Sequence, residues 1–306
     1  MPEDARASLA SRVLPKMELS TGGPESRTAP RPALPAGQSP AERAAGRFAI
    51  SGNALITGGA GFLARTTARA LLEHGASGIA LLDLPGSHAD PTATSAIESL
   101  RSEFPSAKVL ALNVDITDAE QVESVVGRAA AELPGRSVDM LLCFAGIVGC
   151  THALDMSPTE WRRTLDVNTT GSFLCAQAAA KHMISNGGGS ILFTASISAH
   201  RVNYPQPQIA YNVSKAALLA LKNSLAAEWA TYGIRVNSIS PGYMDTILNE
   251  GTGLEEARQV WKNRNPMGRM GMPEEVAGVC VMLCSKGAGS YVNGADVVVD
   301  GGAIVF

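Results

Sequence analysis

From Phe48 onward, short apolar runs alternate with longer stretches of helical character, and this alternation restricts the fold more than any other feature of the chain. The runs are "NALIT" (Asn53–Thr57), "IALLD" (Ile79–Asp83), "KVLALN" (Lys108–Asn113), "VDMLLC" (Val138–Cys143), "SILFTA" (Ser190–Ala195), "IRVNSI" (Ile234–Ile239) and "DVVV" (Asp296–Val299). Nearly continuous apolar strands belong to a parallel sheet buried on both faces, because side chains alternate between two covered surfaces. Thr117 followed by Glu120, and Ser157-Pro158 followed by Glu160, have the spacing of capping boxes that start helices between the strands. Seven βα units without an internal linker predict one α/β domain over residues 48–306, a doubly wound, Rossmann-type seven-stranded parallel sheet with helices on both faces.

The first 47 residues differ in kind. They hold seven of the seventeen prolines, no aromatic residue and no apolar periodicity, so they are expected to form a disordered tail unable to offset its ordering entropy. Seven basic residues there suggest mitochondrial import, but five acidic residues interspersed among them argue against a transit peptide. A cytoplasmic location is the expectation. A net charge of −3 gives no reason to expect a nucleic-acid or anionic-membrane partner. No apolar run approaches the roughly 18 residues of a membrane span. Five cysteines without a C-x-x-C pair suit reduced, mostly buried thiols. The five histidines are scattered, so no metal site is predicted.

Directly after the first strand comes "TGGAGFLARTTARALLEHGA", which opens a helix. Glycine at Gly58 and Gly61 lets backbone approach a pyrophosphate, whose charge is stabilised by the free N–H groups of the helix start, here around Phe62 and Leu63. Twenty-five residues beyond Gly58, the second strand ends in Asp83. A carboxylate there can accept hydrogen bonds from ribose hydroxyls and would repel a 2′-phosphate, which favours NAD while leaving NADP open. An Asp that merely starts the "DLPG" turn is the plainer reading, and Arg65 is a possible counterweight favouring NADP. Asp115, after the third strand, is similarly placed to meet an adenine edge.

Tyr211 and Lys215 in "YNVSK" are four apart, so on a helix they share one face. A tyrosine is a poor base at neutral pH, and a nearby ammonium favours its phenolate. These residues, with "AGI" (Ala145–Ile147), Asn168 in "LDVNTTG", Ser196 after the fifth strand, "SPGYMDT" after the sixth and "VVVDGG" near the end, resemble the compact single-domain short-chain dehydrogenase/reductase family over Phe48–Phe306. The resemblance implies an NAD(P)-dependent interconversion of a secondary alcohol and a ketone. It implies Tyr211 as acid/base, Ser196 as the hydrogen-bond partner of the reacting oxygen, Lys215 on the tyrosine and the nicotinamide ribose, and Asn168 positioning a water. Ala145 and Thr246 are the implied contacts of the nicotinamide half. Ser198 is a competing serine 13 residues before Tyr211, and Ser196 is preferred because it directly follows the strand end. A homodimer or homotetramer is also implied.

Two departures from the family pattern stand out: Phe62 and Ala64 replace glycines of the first turn, and "CFAG" replaces the usual "NNAG", with Cys143 and Phe144 expected as packing substitutions. The "PQPQ" loop, "RNPMGRMG" and "GADVVVDGG" resemble the polyol and sugar dehydrogenase branch, which implies a D-arabinitol-like substrate. Asn203, Gln206 and Gln208 offer polar groups to a compact hydroxylated substrate or simply satisfy their own backbone, and Tyr243–Asn265 is long enough for a small lid. A ketoreductase of bulkier secondary-metabolite or acyl substrates, and a catalytically silent nucleotide sensor, are the alternatives.

Overall fold

The computed structural model describes residues 13–30, 37–246 and 252–305. Seven strands form one parallel sheet in the order β3-β2-β1-β4-β5-β6-β7. They are β1 (Asn53–Thr57), β2 (Gly78–Asp83), β3 (Lys108–Asn113), β4 (Met140–Cys143), β5 (Gly189–Thr194), β6 (Ile234–Pro241) and β7 (Asp296–Val299). Each expected run is a strand, with ends displaced by two residues at most. The order reverses direction between β1 and β4, which opens a crevice at the carboxyl ends of those two strands, where doubly wound sheets bind their ligands.

The apolar strands are explained by two cores. Along β1, Leu55 enters one buried cluster, and its neighbours Ala54 and Ile56 enter the other. Helices α4 (Ala119–Glu132), α6 (Ser172–Ser185) and α7 (Ile209–Glu228) cover the first face, whereas α2 (Phe62–Glu73), α3 (Pro91–Glu103) and α9 (Pro273–Cys284) cover the second. Cys143 belongs to the first core, and Phe144 packs against the second, so both departures in "CFAG" are packing residues. Burial pushes the Cys143 thiol well up, which keeps it a neutral, apolar group.

Helix starts follow the sequence with one shift. Ser157 caps α5 (Pro158–Leu165) by accepting from the Glu160 N–H, 3.1 Å away, with Pro158 in the first turn. At α4 the cap is Asp118, which accepts from the N–H groups of Glu120 and Gln121. Thr117, expected as that cap, instead donates its hydroxyl to Asp115. A carboxylate one residue further on is the stronger acceptor, and so it takes the position.

Within the stretch expected as a disordered tail, Pro40–Phe48 forms a helix, α1, started by a reciprocal capping box between Ser39 and Glu42. Its end is fixed to the domain by the Ser285 hydroxyl, which donates to the Arg47 carbonyl. Further upstream, the Arg27 guanidinium donates to the Ile184 carbonyl at the C-terminal end of α6, where a cation complements the helix dipole. Residues 1–12 and 31–36 of the expected tail, and residues 247–251 of the expected lid, lie outside the described residues. No helix among the described residues is long and apolar enough to cross a membrane, and no group of three or more His, Cys, Asp or Glu among them is arranged to hold a metal.

Candidate active site

The glycine-rich turn is fixed by sterics. Gly58 follows β1 with φ +67°, and a Cβ there would lie 2.7 Å from the Ala145 nitrogen and 2.9 Å from its Cα. A Cβ on Gly59 would lie 2.6 Å from the Leu81 Cβ. The turn is therefore pressed between the ends of β2 and β4, and only glycine fits either position. Gly61 caps α2 with no side chain on the helix end, so the first N–H groups of the helix, at Phe62, Leu63 and Ala64, keep their hydrogen-bonding capacity. Ala64 is buried against the sheet, the role of close helix–strand packing. The Phe62 side chain is exposed, with the Arg65 guanidinium 5.8 Å from its ring centroid. Arg65 also donates to the Thr92 carbonyl. Backbone at Phe62 and Leu63 thus offers what a pyrophosphate needs, and their side chains do not.

Asp83 closes the turn from the β2 side. One carboxylate oxygen accepts from the Ala60 N–H at 2.9 Å and the other from the Leu84 N–H at 2.7 Å. Asp115 is tied locally: its Oδ1 accepts both the N–H and the hydroxyl of Thr117. Across the crevice, the Ala145 N–H donates to the Thr57 hydroxyl. A Cβ on Gly146 would lie 3.2 Å from Asn168 Oδ1 and 3.5 Å from Lys215 Nζ, so this glycine marks the join between the nucleotide end and the acid/base cluster. Thr246 lies buried beyond β6. A cradle that Cβ atoms would fill, a bare helix start and a carboxylate at the end of β2 fit a nicotinamide dinucleotide.

Four candidate catalytic residues arrive from three elements. Asn168 sits in a π-helical turn, Asp166–Gly171, that joins α5 to α6, a wide turn of the kind found at functional sites. Fully buried, its amide accepts from the Ile147 N–H and donates to the Ile147 carbonyl and to the Ser214 hydroxyl. It thereby fastens the β4 loop to α7. Ser196 follows β5 and accepts from the Ser198 N–H at 3.1 Å, and its side chain lies within reach of the Tyr211 phenol. Ser198 is taken up elsewhere, its oxygen accepting from the amides of Asn203 (2.7 Å) and Gln208 (3.0 Å). Of the two serines, Ser196 is the one beside the tyrosine.

Lys215 is buried, one turn along α7 from Tyr211, with Nζ 5.6 Å from the tyrosine ring centroid and 2.6 Å from the Thr194 carbonyl oxygen, to which it donates. Burial pushes the ammonium down to about 8. The phenol is pushed up by burial, against the opposing influence of Ser196. One N–H of the ammonium is directed at the Thr194 carbonyl, which leaves the others free to act beside the tyrosine ring, and burial is the larger influence on the phenol.

The amides of the Ser196–Tyr211 loop turn to side chains rather than to their own backbone. Gln206 bonds Tyr243 and Trp261. Tyr243 lies within "SPGYMDT", and nothing in that motif announces a partner 18 residues on in Trp261. A cavity of about 440 Å³ also opens beside Tyr243, lined by Asn265, Arg269, Glu275 and Asp300 among others. It includes none of Ser196, Tyr211 and Lys215, so it is distinct from the cluster described above.

A doubly wound sheet with a glycine-lined turn at its crevice and a Ser-Tyr-Lys cluster beside it has the form of an oxidoreductase site. The sequence profile of a family described as enoyl-(acyl carrier protein) reductase matches residues 59–303. D-arabinitol 2-dehydrogenase [ribulose-forming] of Scheffersomyces stipitis is 39% identical over 83% of this chain and 95% of its own. Galactitol 2-dehydrogenase of Rhizobium johnstonii is 39% identical over 84% and 96%. Among solved structures, L-sorbose reductase of Gluconobacter frateurii, complexed with NADPH and L-sorbose, superposes with a TM-score of 0.75 at 29% identity, covering 85% of this chain and 99% of that one. The chain belongs to the short-chain dehydrogenase/reductase family.

Proposed function

We propose that this protein is an NAD-linked polyol dehydrogenase that interconverts a secondary alcohol of a D-arabinitol-like substrate and the corresponding ketose. The observation that carries the reading is the Ser196–Tyr211–Lys215 cluster at the mouth of the crevice, taken with relatives whose names specify polyols. Bound in the crevice, a nicotinamide dinucleotide supplies the hydride acceptor for oxidation and the donor for reduction. Gly58, Gly61 and the backbone of Phe62 and Leu63 would hold its pyrophosphate, Asp83 and Asp115 the adenosine, and Ala145, Lys215 and Thr246 the nicotinamide half.

As its phenolate, favoured by the neighbouring Lys215 ammonium, Tyr211 takes the proton from the substrate hydroxyl during oxidation, and as the phenol it returns a proton during reduction. Ser196 hydrogen-bonds the reacting oxygen and is most effective when charge develops there. Lys215 passes the proton onward, and a value of about 8 lets it exchange that proton near neutral pH. Asn168 holds the β4 loop and α7 in register so that the lysine stays in reach. Asp83 supports NAD, since its carboxylate closes the turn where a 2′-phosphate would bring like charge; a relative named NADP-dependent mannitol dehydrogenase makes the preference a point to test. A family-type homo-oligomer and a cytoplasmic location complete the reading, and five unpaired thiols suit a reducing compartment.

Initial rates with NAD and NADP across a panel of pentitols and hexitols test it. NAD-linked oxidation of D-arabinitol or a neighbouring polyol is expected. Turnover restricted to bulky ketones, or binding of cofactor without turnover, overturns it.

A further inference from the structure

A chain of hydrogen bonds whose direction is fixed by chemistry ties the Ser196–Tyr211 loop to the segment after β6. Trp261, on α8 (Glu255–Asn263) and 7% exposed, has only a donor to offer, its indole N–H. That N–H lies 3.2 Å from Gln206 Oε1, so the oxygen side of the amide faces the indole. The NH₂ side therefore faces Tyr243 and donates to its Oη at 2.7 Å. Gln206 is the hydroxyl's one hydrogen-bond partner among the described residues, so the oxygen accepts and its own proton is left to donate elsewhere. The ring is held by stacking on Trp261, with centroids 4.1 Å apart and planes within 7°.

The phenol and its amide partner both come from segments next to catalytic residues in the chain. Gln206 lies in the loop between Ser196 and Tyr211, and Tyr243 follows β6 by two residues. Tyr243 lies within electrostatic reach of Arg201 and, more weakly, of Tyr211. Burial pushes the Tyr243 phenol up to about 12, so it remains a protonated donor throughout the working range.

We propose that Tyr243 is a specificity-determining residue whose O–H donates to a second hydroxyl oxygen of the substrate, while Ser196 and Tyr211 hold the reacting one. Trp261 and Gln206 act as positioning residues that point the donor inward. This rests on the polyol reading above and adds which side chain enforces it. An alcohol with no second oxygen leaves that donor unpaired, and such a mismatch discriminates far more than a missing methylene does.

The test compares kcat/KM for D-arabinitol with kcat/KM for 2-pentanol, which lacks the extra hydroxyls. Tyr243→Phe keeps the ring and its stack but removes the donor, and the polyol-to-monoalcohol ratio is expected to fall about 10- to 100-fold. Gln206→Glu keeps the phenol but reverses its direction: a carboxylate accepts from both Trp261 and Tyr243, drawing the proton away from the substrate. It is expected to reproduce the fall. If the parent oxidises polyols and the ratio is unchanged in both variants, Tyr243 is only a wall and the inference fails alone. If the parent oxidises no polyol, the polyol reading fails and takes the inference with it.

Discussion

Replacing Lys215 by methionine separates what this residue does for the reaction from what it does to the fold. The ammonium falls from an ordinary 10.5 to about 8 because it is buried. At about 1.4 kcal/mol per tenfold change in proton affinity, the charged lysine destabilises the folded state by about 3 kcal/mol at neutral pH. The sign follows from proton counting. Between pH 8 and 10.5 the unfolded chain holds a proton at this residue that the folded chain lacks, so stability rises with pH across that window. Below 8 the penalty is complete, and above 10.5 it is gone. Methionine carries no such penalty, although it forfeits the hydrogen bond to Thr194, which is made at every pH below 8.

The difference in unfolding free energy between parent and Lys215→Met is thus expected to move in the parent's favour by about 2 kcal/mol from pH 7.5 to pH 9.5. Taking the difference cancels the buried thiols Cys175, Cys280 and Cys284, all pushed up by desolvation, which titrate alike in both proteins; the Cys143 thiol, which is coupled to Lys215, is pushed well up by burial and stays neutral in the folded state across this range. Urea unfolding of the two proteins at several pH values measures it. A difference that stays flat over the range means that Lys215 keeps its solution affinity for protons and refutes the reasoning. A lysine kept under such a penalty is what a proton-handling site requires and a packing site does not.

Two further substitutions address the nucleotide end. Gly58→Ala forces a left-handed conformation costing about 1–2 kcal/mol on a residue whose new Cβ meets Ala145 backbone at 2.7 Å. Thermal melts should show a midpoint lowered by at least about 5 °C, while Gly61→Ala, at φ −72°, costs less; equal effects would mean that the contact with Ala145 is not what selects glycine. Asp83→Ser keeps a hydrogen-bond acceptor for the turn but removes the negative charge. The NADP-to-NAD ratio of kcat/KM should rise about tenfold or more, and an unchanged ratio removes Asp83 from cofactor selection.

Much of this molecule is legible in the sequence because its determinants are local. The strands of a sheet covered on both faces are apolar through most of their length, so β1, β3 and β7 stand where their runs do. Glycines 58 and 61 are equally plain, since a turn between a strand and a helix leaves a fixed spacing. Tyr211 and Lys215 are visible because one helix carries both. The capping box of Ser39 and Glu42 was also present in the sequence, but the surrounding prolines masked it, and α1 stands where a disordered tail was expected.

What the sequence hides depends on long-range proximity. Ser39 and Glu42 need no distant partner, whereas Arg47 meets Ser285 only after the sheet has closed. The direction of the Gln206 amide requires Trp261, which lies 55 residues away. The low proton affinity of Lys215 requires burial supplied by several elements at once. The preference for Ser196 over Ser198 draws support from Asn203 and Gln208, whose side chains occupy the competitor.

The central claim is that Tyr211 exchanges the substrate proton, and its most direct test is Tyr211→Phe assayed for NAD-linked oxidation of D-arabinitol, with cofactor binding followed separately. The account predicts that the variant binds cofactor as the parent does and loses about 10²- to 10⁴-fold in kcat. Oxidation by Tyr211→Phe at the parent's rate and with the parent's pH profile would contradict it.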